Sequence, residues 1–551
     1  MSKYDVKAIV SRAEQMFSSA ERQNNESLWE ELSEFMLNNQ YSMFRNSTAS
    51  QTDIGGMNSN FPGAKTTRRL FDSTALQSVQ DLASAFHGTL TNPATVWSTL
   101  RFQDDVLNND QESVAWLENA NKMIHNKINE SNFNTEIAKG YQSFAALANM
   151  ALLFEENETG GFRFTAMHIA QVSWGEDKDG VVDTLYRKFN LTAKQAVQRW
   201  GDDVHENIKK CLEKEPEKEF SFMHCVYPRN NEDIKLNEMG LAPGKYRPVA
   251  SLYIDMTHCS MVEEGGYYEM PMYVARWSLM PSERYGRGPG HLALPDTRTL
   301  NRLKQRGLEA IDLQVRPPIL ANQRDVFGTL DMRPGRISIV KDNTGVREFV
   351  SQARSDILQF STEDLKASIK SIFFLDKLLL PPRTETGEMT AFEVAQRTEQ
   401  MQRVLGPTLS RLNHELLNPL VVRAFKILLR TGQLPPMPDV LAENGIDVEI
   451  VFLNQLARAQ QIQDVNTIQQ WVQGLAGVAQ FDPSVLDNVD VDGIAKHTGK
   501  ILGVPEIAIK NDKEVAQIRQ ARQQQAQQQQ ALQSGVQAAD VASKLDGLSD
   551  T

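Results

Sequence analysis

The sequence predicts an α+β fold in which helical segments enclose a strand-rich middle. Three observations carry that expectation. Up to Met150 apolar side chains recur at helical spacing, and from Leu152 to Trp277 they alternate with period two. From Pro295 onward the helical period returns, interrupted by one Gly/Pro-punctuated module. At 551 residues the chain can bury several cores, and its length predicts three or four domains.

Residues Asp5 to Asn39 read as two amphipathic helices, with Trp29, Leu32 and Phe35 on one face of the second. Met43 to Lys65, rich in Asn, Ser, Thr and Gly, reads as a long loop. From Thr66 to Leu90 the apolar positions Leu70, Phe71, Leu76, Val79, Leu82, Ala83, Phe86 and Leu90 mark a helix that Asn92-Pro93 stops. A further helical zone runs from about Glu112 to Met150, and its stripe of Trp116, Ile124, Ile128 and Phe144 is assigned to the core.

Strands are then expected at Leu152–Glu155, Phe162–Ser173 and Val181–Phe189, turning at Gly160-Gly161 and Lys178-Asp179-Gly180. Thr192-Ala193-Lys194-Gln195 spells a capping box and predicts a helix between strands. Strands resume at Phe220–Tyr227, Arg247–Cys259 and Tyr267–Trp277.

Proline, aspartate and threonine at Pro295, Asp296 and Thr297 suit a helix start, so a rod is expected to begin there. Leu300, Leu303, Leu308, Ile311 and Val315 continue it to Pro317-Pro318. About 21 residues at ~1.5 Å each make a rod of roughly 30 Å. A β-prone module follows, then a second rod with Leu365, Ile369, Ile372 and Phe373 on one face. After the loop Pro381 to Gly387, Thr390-Ala391-Phe392-Glu393 opens a much longer helix. Gly406-Pro407 and Asn418-Pro419 predict kinks or breaks in it, and Pro435-Pro436-Met437-Pro438 a stiff stop. Residues 453–504 read as helical with Trp471 and Val472 buried. Glu514 to Gln533 reads as a helix with ten glutamines and mostly alanine on its apolar side, too little to build a core alone. It packs against copies of itself or stays partly disordered, and the final residues read as a flexible tail.

Composition excludes several functions. Net charge is −12, which argues against a protein that coats nucleic acid. The charge is uneven, with 21 Lys/Arg against 16 Asp/Glu from Asp296 to Arg430. That excess of positive charge is either a fluctuation of solvated helix faces or a weak, slippery surface beside passing DNA. Three cysteines, Cys211, Cys225 and Cys259, are too few for a disulfide framework and point to a reducing cytoplasm. No apolar leader opens the chain and no run is long enough to span a bilayer, so no membrane partner is expected.

No phosphate-binding loop is present: Gly240 to Tyr246 has the wrong spacing, and Thr498-Gly499-Lys500-Ile501 fails likewise. Gly286-Arg287-Gly288-Pro289-Gly290 reads as a bend before the rod. His414-Glu415-Leu416-Leu417-Asn418 falls one histidine short of a zinc-protease helix. His224-Cys225 and His258-Cys259 offer four zinc donors, but in strands neighbouring side chains face opposite ways, so at most one of each pair can share a site. Packing residues are the expectation, with no cofactor, no metal and no catalysis.

Three stretches carry a resemblance. They are Phe71-Asp72-Ser73-Thr74-Ala75 with Leu90-Thr91-Asn92-Pro93 and Trp97, Pro281 to Gly288, and His414-Glu415-Leu416-Leu417-Asn418-Pro419-Leu420. With the order rod, module, rod, loop, long helix, the chain resembles the portal (head-to-tail connector) proteins of short-tailed phages. That resemblance implies a wing over 1–294, stem helices over 295–316 and 357–376, and a clip between them over 317–356. It further implies a tunnel loop over 377–389, a long kinked wing helix with its connection over 390–452, and a helical crown over 453–551.

By the same resemblance, copies form a twelve-fold ring at one capsid vertex, seed procapsid assembly and conduct double-stranded DNA. The implied partners are the terminase large subunit, then the tail adaptor, with the capsid and scaffolding proteins. The implied location is the virion, after assembly in the host cytoplasm. The DNA-channel residues expected are Lys366 and Lys370 on the second rod with Lys377, Arg383, Glu385 and Gly387 in and beside the loop. Lys366 and Lys370 equally suit pairing with Glu363 and Asp364 or with a neighbouring subunit, and the loop equally reads as an ordinary surface loop. The competing functions are another tail or internal virion protein and, on the His/Cys pairs, a cytosolic metalloenzyme.

Overall fold

The computed structural model describes residues 5–37, 70–157 except 104–106 and 108–109, 161–235, 242–315, 319–321, 346–348, 355–378, 405–438, 441 and 448–452, with scattered positions beyond. Two compact units divide the chain, Met1–Leu453 and Asn454–Thr551. Helices and antiparallel sheets mix throughout the first, as an α+β fold requires.

The two N-terminal helices form as read, α1 (Val6–Phe17) and α2 (Ala20–Met36), capped by the Asp5 and Ser19 side chains. Trp29 and Leu32 are wholly buried. The next helix, α3 (Thr74–Leu90), begins later than its apolar period implied. Residues 70–73 stay non-helical because Asn301 Oδ1 accepts the Phe71 and Asp72 N–H groups, and Asp72 Oδ1 accepts that of Thr74. The single helical zone is two helices, α4 (Gln111–Glu130) and α5 (Phe133–Leu147), with β1 (Ser98–Phe102) before them.

The strand-rich middle makes two sheets. In the smaller, β2 (Asn149–Glu156) lies between β3 (Phe162–Met167) and β9 (Met272–Arg276). The larger is an antiparallel meander of β4 (Val172–Glu176), β5 (Val182–Thr192), β6 (Glu219–Pro228), β7 (Val249–Asp255) and β8 (Ser260–Tyr267). The strand expected from Phe162 to Ser173 is thus split, because a 3₁₀ turn at Ile169–Gln171 carries the chain from one sheet to the other. The strand expected from Arg247 to Cys259 stops at Asp255, whose carboxylate accepts the Thr257 and His258 N–H groups and closes a turn. Tyr267–Trp277 is likewise two strands in two sheets.

The capping box at Thr192 and Gln195 forms and opens α6 (Ala193–Trp200), while α7 (Glu206–Lys214), too short to show a clear period, escaped the reading. Both cover one face of the meander, where Ala196, Trp200, Ile208, Phe222 and Tyr253 pack together. The α1 helix covers the other face through Val10 and Ala13 on Met223, Cys225 and Leu252. Phe222 and Met223 thus alternate between two cores, as a strand buried on both faces must.

The first rod, α8, runs Pro289–Val315, so it starts a turn and a half earlier than expected and contains Pro295. Pro289 takes the first helical position that Pro295 was assigned. Within the helix Pro295 has no N–H for the His291 carbonyl. Beyond it, β10 (Ile319–Ala321) pairs with β11 (Val346–Glu348), and the second rod is α9 (Ser355–Ile372). Phe374, at φ +58, turns the chain into α10 (Leu375–Leu378).

The long helix is described from residue 405: α11 (405–412), a π-helical turn at Asn413–Leu417, and α12 (Asn418–Arg430). The turn that Gly406-Pro407 would kink begins outside the described residues, while the irregularity expected at Asn418-Pro419 is the wide turn just before it. There the Asn418 N–H reaches back five residues to the Asn413 carbonyl, which makes room for the proline ring. Gly432, at φ +64, ends α12, and β12 (Val448–Phe452) pairs with β1. The expectations for Met43–Lys65, Leu380–Arg403 and the end of the glutamine-rich helix lie outside the described residues. In the second unit Trp471 is 49% exposed and Val472 only partly covered, against the burial expected of both.

Candidate functional site

Two helices and the chain entering and leaving a loop define the candidate site, and three sequence motifs fasten them. The α8 and α9 rods pack side by side and antiparallel, tied by Ser368 Oγ donating to Asp296 Oδ2 at 2.7 Å. Leu300, Ile369 and Phe373 are buried between them and α3. Leu308 and Ile311, read as part of the same apolar stripe, are 52% and 53% exposed. The apolar stripe of α8 is therefore buried at Leu300 and exposed two to three turns further on.

The first motif, Phe71 to Ala75, is the strap across the rods. Asn301 holds its backbone, and the Asp72 carboxylate lies 3.5 Å from Lys366 Nζ. Burial pushes the Asp72 carboxyl up, but hydrogen bonds from Thr74 and the charges of Lys366 and Lys304 hold it below its ordinary range. Lys366, expected in the channel, is thus engaged within its own subunit. Lys370 is exposed on α9. Lys377 lies in α10, and Arg383, Glu385 and Gly387 lie outside the described residues. Asn301 is the residue that sequence reasoning missed. Its signal was a lone amide on the inner face of α8, one position after Leu300.

The second motif, Pro281 to Gly288, anchors the start of α8. Tyr285 is buried edge-on between Trp29 and Trp174, with ring centroids 5.1 and 4.7 Å away. Asn149 brackets Gly286, accepting its N–H at 2.8 Å and donating to its carbonyl at 3.2 Å. A Cβ at Gly286 would lie 2.6 Å from the Ala148 carbonyl oxygen, and one at Gly290 would lie 2.1 Å from that of Ala146. These glycines serve close backbone approach and bind no phosphate. His291 Nδ1 accepts the Gly288 N–H, and burial followed by the nearby Arg287 charge takes its pKa down to about 4.

The third motif contains the π-helical turn. Glu415 receives Arg276 through the guanidinium Nε at 3.0 Å and Nη2 at 2.7 Å, and through the backbone N–H at 2.8 Å. The same guanidinium also reaches Glu176 and the Gly180 carbonyl. Arg276 is only 2% exposed, so this is a buried ionic joint between β9, the hairpin of the meander and the long helix. The glutamate that a zinc-protease reading would make a base is committed to an arginine.

The four would-be zinc donors stay apart in role. His224 Nε2 bonds Ser251 Oγ at 2.9 Å and its ring stacks on Tyr253 at 4.0 Å. Burial, then the charges of Arg187 and Arg199, push its pKa well down. Cys225 faces the opposite core, and burial raises its thiol to about 12. His258 lies in the turn after β7, not in a strand, stacked on His205 at 3.9 Å with Nδ1 2.6 Å from Asp255 Oδ2. Among the described residues no three His, Cys, Asp or Glu side chains group as a metal site, and no helix is long and apolar enough to cross a membrane.

The described chemistry is therefore that of joints around a helical pair, and comparison with known proteins agrees with the sequence resemblance. The chain is 29% identical over 535 residues to the portal protein of Salmonella phage epsilon15, covering 95% of this chain and 93% of that protein. It is 28% identical over 505 residues to the probable portal protein of Bordetella phage BPP-1, covering 89% and 88%. The family model for the bacteriophage head to tail connecting protein matches residues 6–509. The chain belongs to the bacteriophage head-to-tail connecting protein family.

Proposed function

We propose that this chain is the portal subunit of a short-tailed phage, a structural component of the virion at one capsid vertex. The observation that carries this is similarity to portal proteins along nearly the whole chain, with no large part unaccounted for. In this reading copies close into a ring, twelve-fold by the resemblance, through a heterologous interface. The α8 and α9 helices are the stem, β10 and β11 belong to the clip, and the segment 377–389 is the tunnel loop facing double-stranded DNA. Lys370, Lys377 and Arg383 then offer weak phosphate contacts around the channel, while Lys366 braces the stem. The ring seeds procapsid assembly with scaffolding protein, docks the terminase large subunit, and later binds the tail adaptor. The action is mechanical and electrostatic, with ATP hydrolysis on the terminase chain. The exposed Leu308 and Ile311 support assembly, since an isolated stem leaves them in water. Mass photometry and negative-stain imaging of the purified chain test the proposal. Rings with a central hole are expected; monomers and dimers alone across salt and concentration would sink it.

A further inference from the structure

We infer that Phe374 is a hinge with two settings. With its backbone left-handed it breaks the second rod into α9 and α10; with its backbone helical the two join into one helix from Ser355 to Leu378. Phe374 stands at φ +58, where a helix commonly ends on glycine and a bulky side chain is strained. Among the described residues only four other than glycine have positive φ, and Phe374 alone of them is aromatic. The Phe373 N–H reaches the Ile369 carbonyl in helical fashion at 3.1 Å, but the Phe374 N–H drops back to that of Ser371 at 3.0 Å. Helix then restarts at once, over Leu375–Leu378, with no loop between.

Side-chain positions show why the sequence supports both settings. In a continuous helix Leu375 would stand about 200° from Phe373, so the two could not face one core. Here both are buried, Phe373 wholly and Leu375 at 6% exposure, with α10 packed on α3. Asp376 is exposed. Joined, the helix would carry Asp376 on the stripe of Ile369 and Phe373 and turn Leu375 outward. The broken setting thus gains the burial of Leu375 and lays the Phe374 ring parallel to Trp277, planes 7° and centroids 6.4 Å apart. Against that, it strains Phe374 and leaves the N–H groups of Leu375, Asp376 and Lys377, which open a new helix, without a helical carbonyl to reach. Joining supplies the carbonyls of Ser371, Ile372 and Phe373. Opposed terms at one helix-terminal residue are what a hinge needs. On the portal reading above, the hinge lies where the stem passes into the proposed tunnel loop, so its setting fixes the direction in which that loop leaves. That consequence rests on the portal reading; the hinge itself does not.

Two substitutions that both remove the ring separate the backbone setting from packing. Alanine resists the left-handed region and favours helix, whereas glycine accepts the first and disfavours the second. Hydrogen exchange of the full chain, read by mass spectrometry over 375–377, should therefore be about tenfold slower in Phe374→Ala than in Phe374→Gly. Rates within about twofold of each other, after correction for intrinsic exchange, would overturn the inference. Should either variant lose its fold by circular dichroism, Leu375→Ala reads the same hinge. It removes the side chain that holds the broken setting, so exchange at 376–377 must slow; unchanged or faster exchange there overturns the hinge. Mass photometry of the same samples reads ring formation. If the unmodified chain forms no ring, the portal reading fails, while exchange at 375–377 still decides the hinge.

Discussion

The ionic joint between Arg276 and Glu415 lends itself to a double-mutant cycle. Arg276→Met removes a guanidinium that is 2% exposed and bonded to Glu415, Glu176 and the Gly180 carbonyl. Breaking one side of a buried pair costs about 3–5 kcal/mol, because the surviving charge is stranded. Here Glu415 keeps Arg411 at 3.8 Å, so the lower end, about 3 kcal/mol, is expected. Glu415→Leu leaves Arg276 with Glu176 and should cost about 2 kcal/mol. With both changed, no charge is stranded between them, and the double variant should fall short of the sum by about 2 kcal/mol. Denaturant unfolding followed by tryptophan emission is the assay, since Trp277 adjoins Arg276 and Trp174 lies in β4, the strand that carries Glu176. Hydrogen exchange across 413–430 should rise in the single variants and recover in part in the double one. Additivity within about 0.5 kcal/mol, or unchanged exchange in the long helix, would refute the joint.

Four further outcomes are expected. Gly290→Ala should cost about 2–3 kcal/mol or abolish soluble expression, because its Cβ would sit 2.1 Å from the Ala146 carbonyl oxygen and backbone cannot give way. Gly88→Ala, in an exposed turn of α3 with nothing within 4 Å, should instead stabilise by about 0.5–1 kcal/mol, both read as unfolding midpoints. Arg22→Met should cost about 2–4 kcal/mol in the same assay, since the wholly buried guanidinium donates to the Val172 and Ile169 carbonyls at 2.9 and 2.8 Å, and both bonds are lost from the interior. Finally, His291 binds a proton more weakly folded, near 4, than unfolded, near 6.5, so its contribution is intact above pH 6.5 and lost as pH falls toward 4. About 2 kcal/mol should go by pH 5, and His291→Gln should flatten that part of the stability curve; an unchanged slope would count against it.

How much of this was legible beforehand depended on how local the cause was. The α6 capping box, the face of α2 that buries Trp29 and Leu32, and the face of α9 that buries Ile369 and Phe373 could be read because periodicity and caps act within a turn or two. The order of segments and the three motifs sufficed to recognise the family, although what each motif does was hidden. Asn301 against Phe71, Asn149 against Gly286 and Arg276 against Glu415 are each separated by more than a hundred residues. Tertiary structure also overruled local signals. Pro295 looked like a helix start, but the glycines before Pro289 bring the chain against α5 and start the helix sooner. The strand predicted from Phe162 to Ser173 has one period throughout, and only the presence of two sheets explains why it breaks at Ile169. Alternation shows which side chains share a face, and caps show where helices begin. Which face meets which partner is decided by contacts that local pattern does not encode. The same physics made Leu308 and Ile311 readable as apolar stripe but not as exposed, because burial belongs to whatever covers a face.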